Sequence, residues 1–256
     1  MSRLSRWIRS FSEQRVRRSR IEASRRLELF ETTTGRWWLP ALDSDPVIST
    51  IRRGDIFDAD VVAEAELHIR PGSTVLDLGS NFGQMAVLFS RMTGPTGVVH
   101  AFEADPFICQ ALRKNVEAND AKNVIVHEAA VWHMDGRSLF YPEQDLVRFG
   151  ALGSYGIDPN ATKGRTVPSI TIDSLNLPAN ISFMKIDIQG SDLYAMMGAE
   201  RTISQNRMPI LFEFESLLQD DFGTTFADYE ALIEKMRYQI SKKIGEYDYL
   251  ITPISV

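Results

Sequence analysis

The chain has 256 residues, 44% of them hydrophobic and 24% charged, with a formal net charge of −6; this is the balance of a globular α/β domain with a short appendage. No apolar run reaches the roughly 20 residues needed to span a bilayer, and a single cysteine, Cys109, excludes an intramolecular disulfide framework and a cysteine-built zinc site. Residues 1–30 carry nine Arg against three Glu, a net of +6 that leaves −12 on the remainder, and so acidic a body argues against a nucleic-acid partner.

The basic stretch comes first. In MSRLSRWIRSFSEQRVRRSR, residues Leu4, Trp7, Ile8 and Phe11 recur at helical spacing with arginines around them. A basic amphipathic helical arm over residues 1–35 follows, and three roles suit it. It can pack on the body or on a second copy of the chain, lie on anionic lipid, or act as an organelle-targeting peptide. The expected location is cytoplasmic, at the membrane surface if the lipid role holds. A single domain is expected over 36–256. Asp58 to Ile69 reads as a helix stopped by Pro71-Gly72.

From Thr74 a regular alternation begins. Strand TVLDL leads to helix QMAVLFSRM. Strand VVHAFE leads to a helix over ADPFICQALRKNVEAND, with Asp105 as N-cap and Pro106 at N1. Strand NVIVHEAAV follows, then an insertion of weaker pattern over about 135–170. Strand ISFMKIDI, helix SDLYAMMGAERTISQ, strand PILFEFE and helix FADYEALIEKM come next, and the runs RYQISKKI and DYLITPIS should pair antiparallel. Strands alternating with helices predict a Rossmann-like sheet of parallel strands with an antiparallel last strand and helices on both faces. Ligands on such sheets bind beyond the carboxyl ends of the strands, where strand order reverses.

The glycine loop lies at that edge. A dinucleotide loop wants three glycines in the pattern G-x-G-x-x-G, and here the row is Gly79, Ser80, Asn81, Phe82, Gly83, Gln84. Asn81 tolerates left-handed backbone, so the turn can form. Its side chain would nevertheless crowd a pyrophosphate, which weakens the case for a nicotinamide oxidoreductase. The start of the following helix suits a carboxylate. Glu103, twenty residues past Gly83, can accept both hydroxyls of a ribose. Together they describe S-adenosylmethionine, with Ala104 beside the acid and the small Ala129 and Ala130 flanking an adenine.

The blocks VLDLGSNFGQ, GVVHAFEADP, LRKNVEAND, EAAVWHMDG, SITIDSL, MKIDIQGSDLYAMMGAERT and MPILFEFE resemble, in order, those of the FkbM family of S-adenosylmethionine-dependent methyltransferases, over roughly residues 50–253. The resemblance implies a seven-stranded class I methyltransferase fold and methyl transfer to a hydroxyl of a sugar, surface polysaccharide or natural product. It places Asp77, Gly79, Asn81, Gly83 and Glu103 in the cofactor blocks. The family's fourth-strand block usually reads Lys-x-Asp-x-Glu-Gly. Here it is Lys185, Asp187, Gln189 and Gly190, with Asp192 where Glu is common. That departure keeps a second role open, a non-catalytic module that recruits a partner in glycan biosynthesis.

Methyl transfer to a hydroxyl requires a proton acceptor. Asp187, at the end of the fourth strand beside the cofactor, is the candidate base. Lys185 points to the same side, and Glu213 and Glu215 end the next strand. Asp187 with Glu213 also offers oxygen ligands for one Mg²⁺, an option less favoured than metal-free transfer. The insertion is expected to cover the acceptor, with Ser154, Tyr155 and Gln189 as binding candidates and Lys163 as a cation. The four histidines, His68, His100, His127 and His133, read as structural.

Overall fold

The computed structural model describes residues 26–141, 151–153, 155–162 and 164–254. The predicted arm helix, Ser154 and Lys163 lie outside them. The described residues fall into two compact units, one made of 26–57 with 151–153 and the other of 58–141 with 155–162 and 164–254.

In the first unit β1 (Leu27–Glu31) and β2 (Arg36–Pro40) form an antiparallel hairpin. This corrects the expected helical arm over its last residues. LELFE alternates with period two, and Gly35 lets the chain turn back at Thr32. Helix α1 (Pro46–Arg52) follows. Asp45 caps it, accepting from the N–H groups of Val47 and Ile48 with one oxygen and from Leu152 N–H with the other.

The second unit opens with α2 (Ala59–Glu66) and then alternates. Its elements are β3 (Thr74–Leu78), α3 (Gln84–Thr93), β4 (Val98–Glu103), α4 (Pro106–Ala118) and β5 (Val124–Glu128). The run NVIVHEAAV does not stay one strand. It breaks at Ala129, and β6 (Ala130–Val131) joins a separate three-stranded sheet with β7 (Ser138–Tyr141) and β8 (Arg165–Ile170). The ends of the predicted insertion are therefore sheet. Next come β9 (Ile181–Ile186), α5 (Asp192–Met197), α6 (Glu200–Asn206) and β10 (Ile210–Glu213). One helix was expected over 191–205, but the chain divides at Gly198. A Cβ there would lie 2.1 Å from the carbonyl oxygen of Trp132, a backbone approach that only glycine permits. Helices α7 (Ser216–Phe222) and α8 (Phe226–Lys235) precede β11 (Tyr238–Ile244) and β12 (Asp248–Pro253).

The main sheet has seven strands in the order β11-β12-β10-β9-β3-β4-β5. Neighbours from β10 to β5 run parallel, and β12 runs antiparallel to both β10 and β11. This is the expected class I architecture, with strand order reversing between β3 and β9. Both of these strands are buried along their whole length, as expected of central strands covered on both faces. Leu76, Leu78, Phe102, Met184, Ile186 and Phe212 anchor the core on one face, packed with Ile203 and Tyr229. Each such side chain contributes about 2 kcal/mol by leaving water. No helix among the described residues is long and apolar enough to cross a membrane.

Candidate active site

Period two decides what meets at the carboxyl edge. Asp77 on β3 is the register partner of Lys185 on β9, and Lys185 is the partner of Leu211 on β10. Asp77, Lys185, Asp187 and Glu213 therefore share one side of the sheet. Glu213 in turn stands opposite Asp248 on β12.

The glycine loop is held from several directions. The N–H groups of Gly79 and Ser80 donate to the carbonyl of Phe102, and Gly83 N–H donates to Ser80. Asn115 of α4 donates its amide to the carbonyl of Phe82 over 2.8 Å. Gly79, Asn81 and Gly83 have φ of 83°, 49° and 85°, so the asparagine takes the left-handed conformation expected of it. Gly79 also presses against β9, where a Cβ would meet the carbonyl of Asp187. A Cβ on Gly83 would lie 2.3 Å from Leu112 of α4. The buried Gln84 opens α3.

Asp77 is fully buried, and among the described residues neither of its carboxyl oxygens has a hydrogen-bond donor; Lys185 Nζ lies 3.9 Å away. Burial raises its pKa, and the lysine partly offsets this. The side-chain oxygen of Asn81 likewise lacks a partner. Glu103 is bound into the loop, with Oε2 accepting from Asn81 N–H at 3.0 Å and Oε1 from Asp105 N–H at 2.8 Å. Burial pushes its carboxyl up to about 7. Ala104 and Ala129 directly follow β4 and β5 at the same edge, while Ala130 is buried in β6 opposite Ser169.

Across the reversal point, Lys185 Nζ donates to Asp187 Oδ2 at 3.0 Å and reaches the carbonyl of Gly79 at 3.4 Å. Burial would lower this ammonium's pKa, but Asp187 and Asp77 more than reverse the effect and leave it raised. Gln189 donates its amide to Asp187 Oδ1 at 3.3 Å and to Glu213 Oε2 at 3.2 Å. Its expected role was acceptor binding; here its donors hold the two acids. Glu213 is pushed far above the carboxylate range by burial, then by Asp187 and Asp192. Tyr155 is buried, and its carbonyl accepts the Tyr141 hydroxyl. The following Gly156 packs against Gln189, whose carbonyl would lie 2.8 Å from a Cβ there. Among the described residues no group of three or more His, Cys, Asp or Glu is arranged to hold a metal.

Sequence reasoning named Asp192 only as a departure from the family block and left its surroundings unassigned. Asp192, at the start of α5, is fully buried; it accepts from Glu213 N–H through Oδ1, while Oδ2 has no hydrogen-bond partner among the described residues. Burial and then the Asp187 charge raise its pKa to about 8. Asp248 and Asp58 rise to about 7 and about 6, each through burial and then Asp187. Of these, the register of β10 with β12 could have pointed to Asp248. The histidines are engaged in packing: His100 and His127 stack and share a hydrogen bond of 2.9 Å, and His68 stacks on Phe183.

The sequence model of the methyltransferase FkbM domain matches residues 77–240. A 31-O-demethyl-FK506 methyltransferase, FkbM, of Streptomyces tacrolimicus is 37% identical over 83 residues, covering 32% of this chain and 31% of that protein. An arsenite methyltransferase of Halobacterium salinarum is 34% identical over 92 residues, 36% of this chain and 24% of its own length. The match thus spans less than a third of either curated relative. The crystal structure of a methyltransferase FkbM from Methylobacillus flagellatus superposes with a TM-score of 0.49 at 19% identity, over 74% of this chain and 49% of that one.

Proposed function

The chain belongs to the FkbM methyltransferase family, and from that premise we propose that it moves a methyl group from S-adenosylmethionine to a hydroxyl of a sugar, polysaccharide or natural-product acceptor. The observation that carries this reading is the buried Asp77 carboxylate without a hydrogen-bond donor, set at the head of a left-handed loop whose Asn81 N–H is tied to Glu103. Lys185 meets this carboxylate only at 3.9 Å and is shared with Asp187, so a second cation that can donate hydrogen bonds suits it, and an amino-acid ammonium is one. Asp77 would hold that ammonium, the first amides of α3 the tail carboxylate, and Glu103 the ribose hydroxyls. When bound, S-adenosylmethionine supplies a methyl group activated on a sulfonium.

The remaining work falls to this chain's own side chains. Asp187 accepts the hydroxyl proton of the acceptor. Its carboxylate is held at one oxygen by Lys185 and at the other by Gln189, so it presents a fixed base that need not reorganise. Glu213, kept protonated by burial, can donate a hydrogen bond beside it. Gly156 packs on Gln189 at this edge, where it helps to exclude water.

Calorimetry with S-adenosylmethionine and S-adenosylhomocysteine tests the cofactor step. Micromolar binding that is lost in Glu103→Ala supports it, and no heat with either compound ends it. Formation of S-adenosylhomocysteine against a panel of sugars then tests the hydroxyl acceptor. The basic arm suits an anionic lipid surface, which flotation of the full chain and of residues 31–256 with phosphatidylglycerol vesicles tests.

A further inference from the structure

Arg165 lies on β8, in the small sheet, yet it reaches the main sheet's edge. Its Nη2 meets Asp105 Oδ2 at 2.5 Å across sixty residues of chain. The other oxygen of Asp105 caps α4 by accepting from Phe107 and Ile108, and the Asp105 N–H donates to Glu103. The guanidinium sits 5.3 Å over the Tyr141 ring. Asp105 and Glu103 are both buried and two residues apart. The Asp105 charge opposes the ionisation of Glu103, and a cation joined to Asp105 offsets it.

We propose that Arg165 is a positioning residue for the ribose of the cofactor, acting through Asp105: it offsets the Asp105 charge so that Glu103 stays a charged acceptor of two hydroxyls. The inference rests on the cofactor reading given above. Among the described residues, the charged or titratable groups around Glu103 are Asp105, Cys109 in α4, Tyr141 on β7, Arg165 on β8, and Glu128, the register partner of Glu103, which Arg113 holds at 2.6 Å. Burial raises Glu103 most. The Asp105 N–H opposes the rise, the Asp105 charge adds to it, and the Asn81 N–H lowers it again. An arginine is charged at every accessible pH, so its effect on this balance does not itself titrate.

The test is calorimetric binding of S-adenosylhomocysteine between pH 5.5 and 9. The natural chain should lose affinity as pH falls through about 7. In Arg165→Ala that loss should move upward by roughly one pH unit, with binding at pH 7 weakened about five- to tenfold. Arg165→Lys, which keeps the charge, should retain the natural profile. Asp105→Asn, which keeps the helix cap, should move the loss downward. Coincident profiles for the natural chain and Arg165→Ala, an alanine-like profile for the lysine variant, or an upward shift in Asp105→Asn would each overturn the proposal. Should Arg165→Ala not fold, Asp105→Asn decides alone, because its expected shift has the opposite sign. A natural chain that binds nothing at any pH removes the cofactor reading as well. One that binds, with unshifted variants, removes only this proposal.

Discussion

A methyl group placed on Gly79 would lie 1.8 Å from the carbonyl oxygen of Asp187. The turn after β3 and the end of β9 are thus in backbone contact, and the strand carrying the candidate base is seated on the glycine loop. Gly79→Ala meets two penalties: left-handed backbone at about 1–2 kcal/mol and overpacking at about 1–3 kcal/mol. Gly83→Ala meets a similar backbone cost, but its nearest atom is the far end of the flexible Leu112 side chain. Urea titration should rank Gly79→Ala as the more damaging. The reverse order would show that β9 can retreat.

Gln189 gives its amide to both Asp187 and Glu213. A glutamate there has the same shape but, when ionised, no hydrogen to donate. Gln189→Glu should cost about 1–3 kcal/mol at pH 8. The loss should shrink at pH 5, where the added carboxyl can take a proton and donate. Unfolding midpoints at the two pH values check this, and an equal loss at both would refute it.

Asp192 titrates near pH 8 in the folded protein, well above its ordinary 3.8. The folded state therefore holds a proton that the unfolded chain releases. The resulting stability is complete below about pH 4 and is lost as pH rises through about 8. Asp192→Asn cannot lose that proton. Between pH 6 and 8 its unfolding free energy should gain on that of the natural chain, by at most about 1.4 kcal/mol per pH unit. Parallel curves would mean that Asp192 is not a buried acid of this kind.

The His100–His127 pair works in the opposite direction. Burial and then the His127 charge lower the His100 pKa to about 4, so the folded chain refuses a proton that the unfolded chain accepts near 6.5. The stability from this is present above pH 6.5 and is lost as pH falls towards 4. His100→Asn should flatten that loss by about 1.4 kcal/mol per pH unit. Comparing the two pH curves isolates this contribution from Asp192, which responds with the other sign.

How much of this was legible in the sequence depends on where each residue finds its partners. TVLDL and ISFMKI announced themselves because central strands are buried on both faces and are rich in apolar residues, each interrupted by one charged residue near its end. Asp77, Lys185, Asp187 and Glu213 could be assembled because period two at strand ends is a local rule. The hairpin at Leu27 was hidden by the arginine-rich pattern before it. The break at Gly198 was hidden because its cause is a carbonyl on Trp132, far away in sequence. The partner of Asp192 and the role of Arg165 were out of reach for the same reason: one faces a main-chain N–H of β10 and the other a helix cap sixty residues earlier.

Strand β12 lies between β10 and β11, although it follows both in the chain. During synthesis, β11 leaves the ribosome before the strand that must bridge it to the rest of the sheet. Until residues 248–253 have emerged, β10 and β11 both expose unpaired main-chain edges. The nascent chain should therefore remain dependent on a holding chaperone up to that point, and a chain stopped at residue 247 should associate with others through those edges.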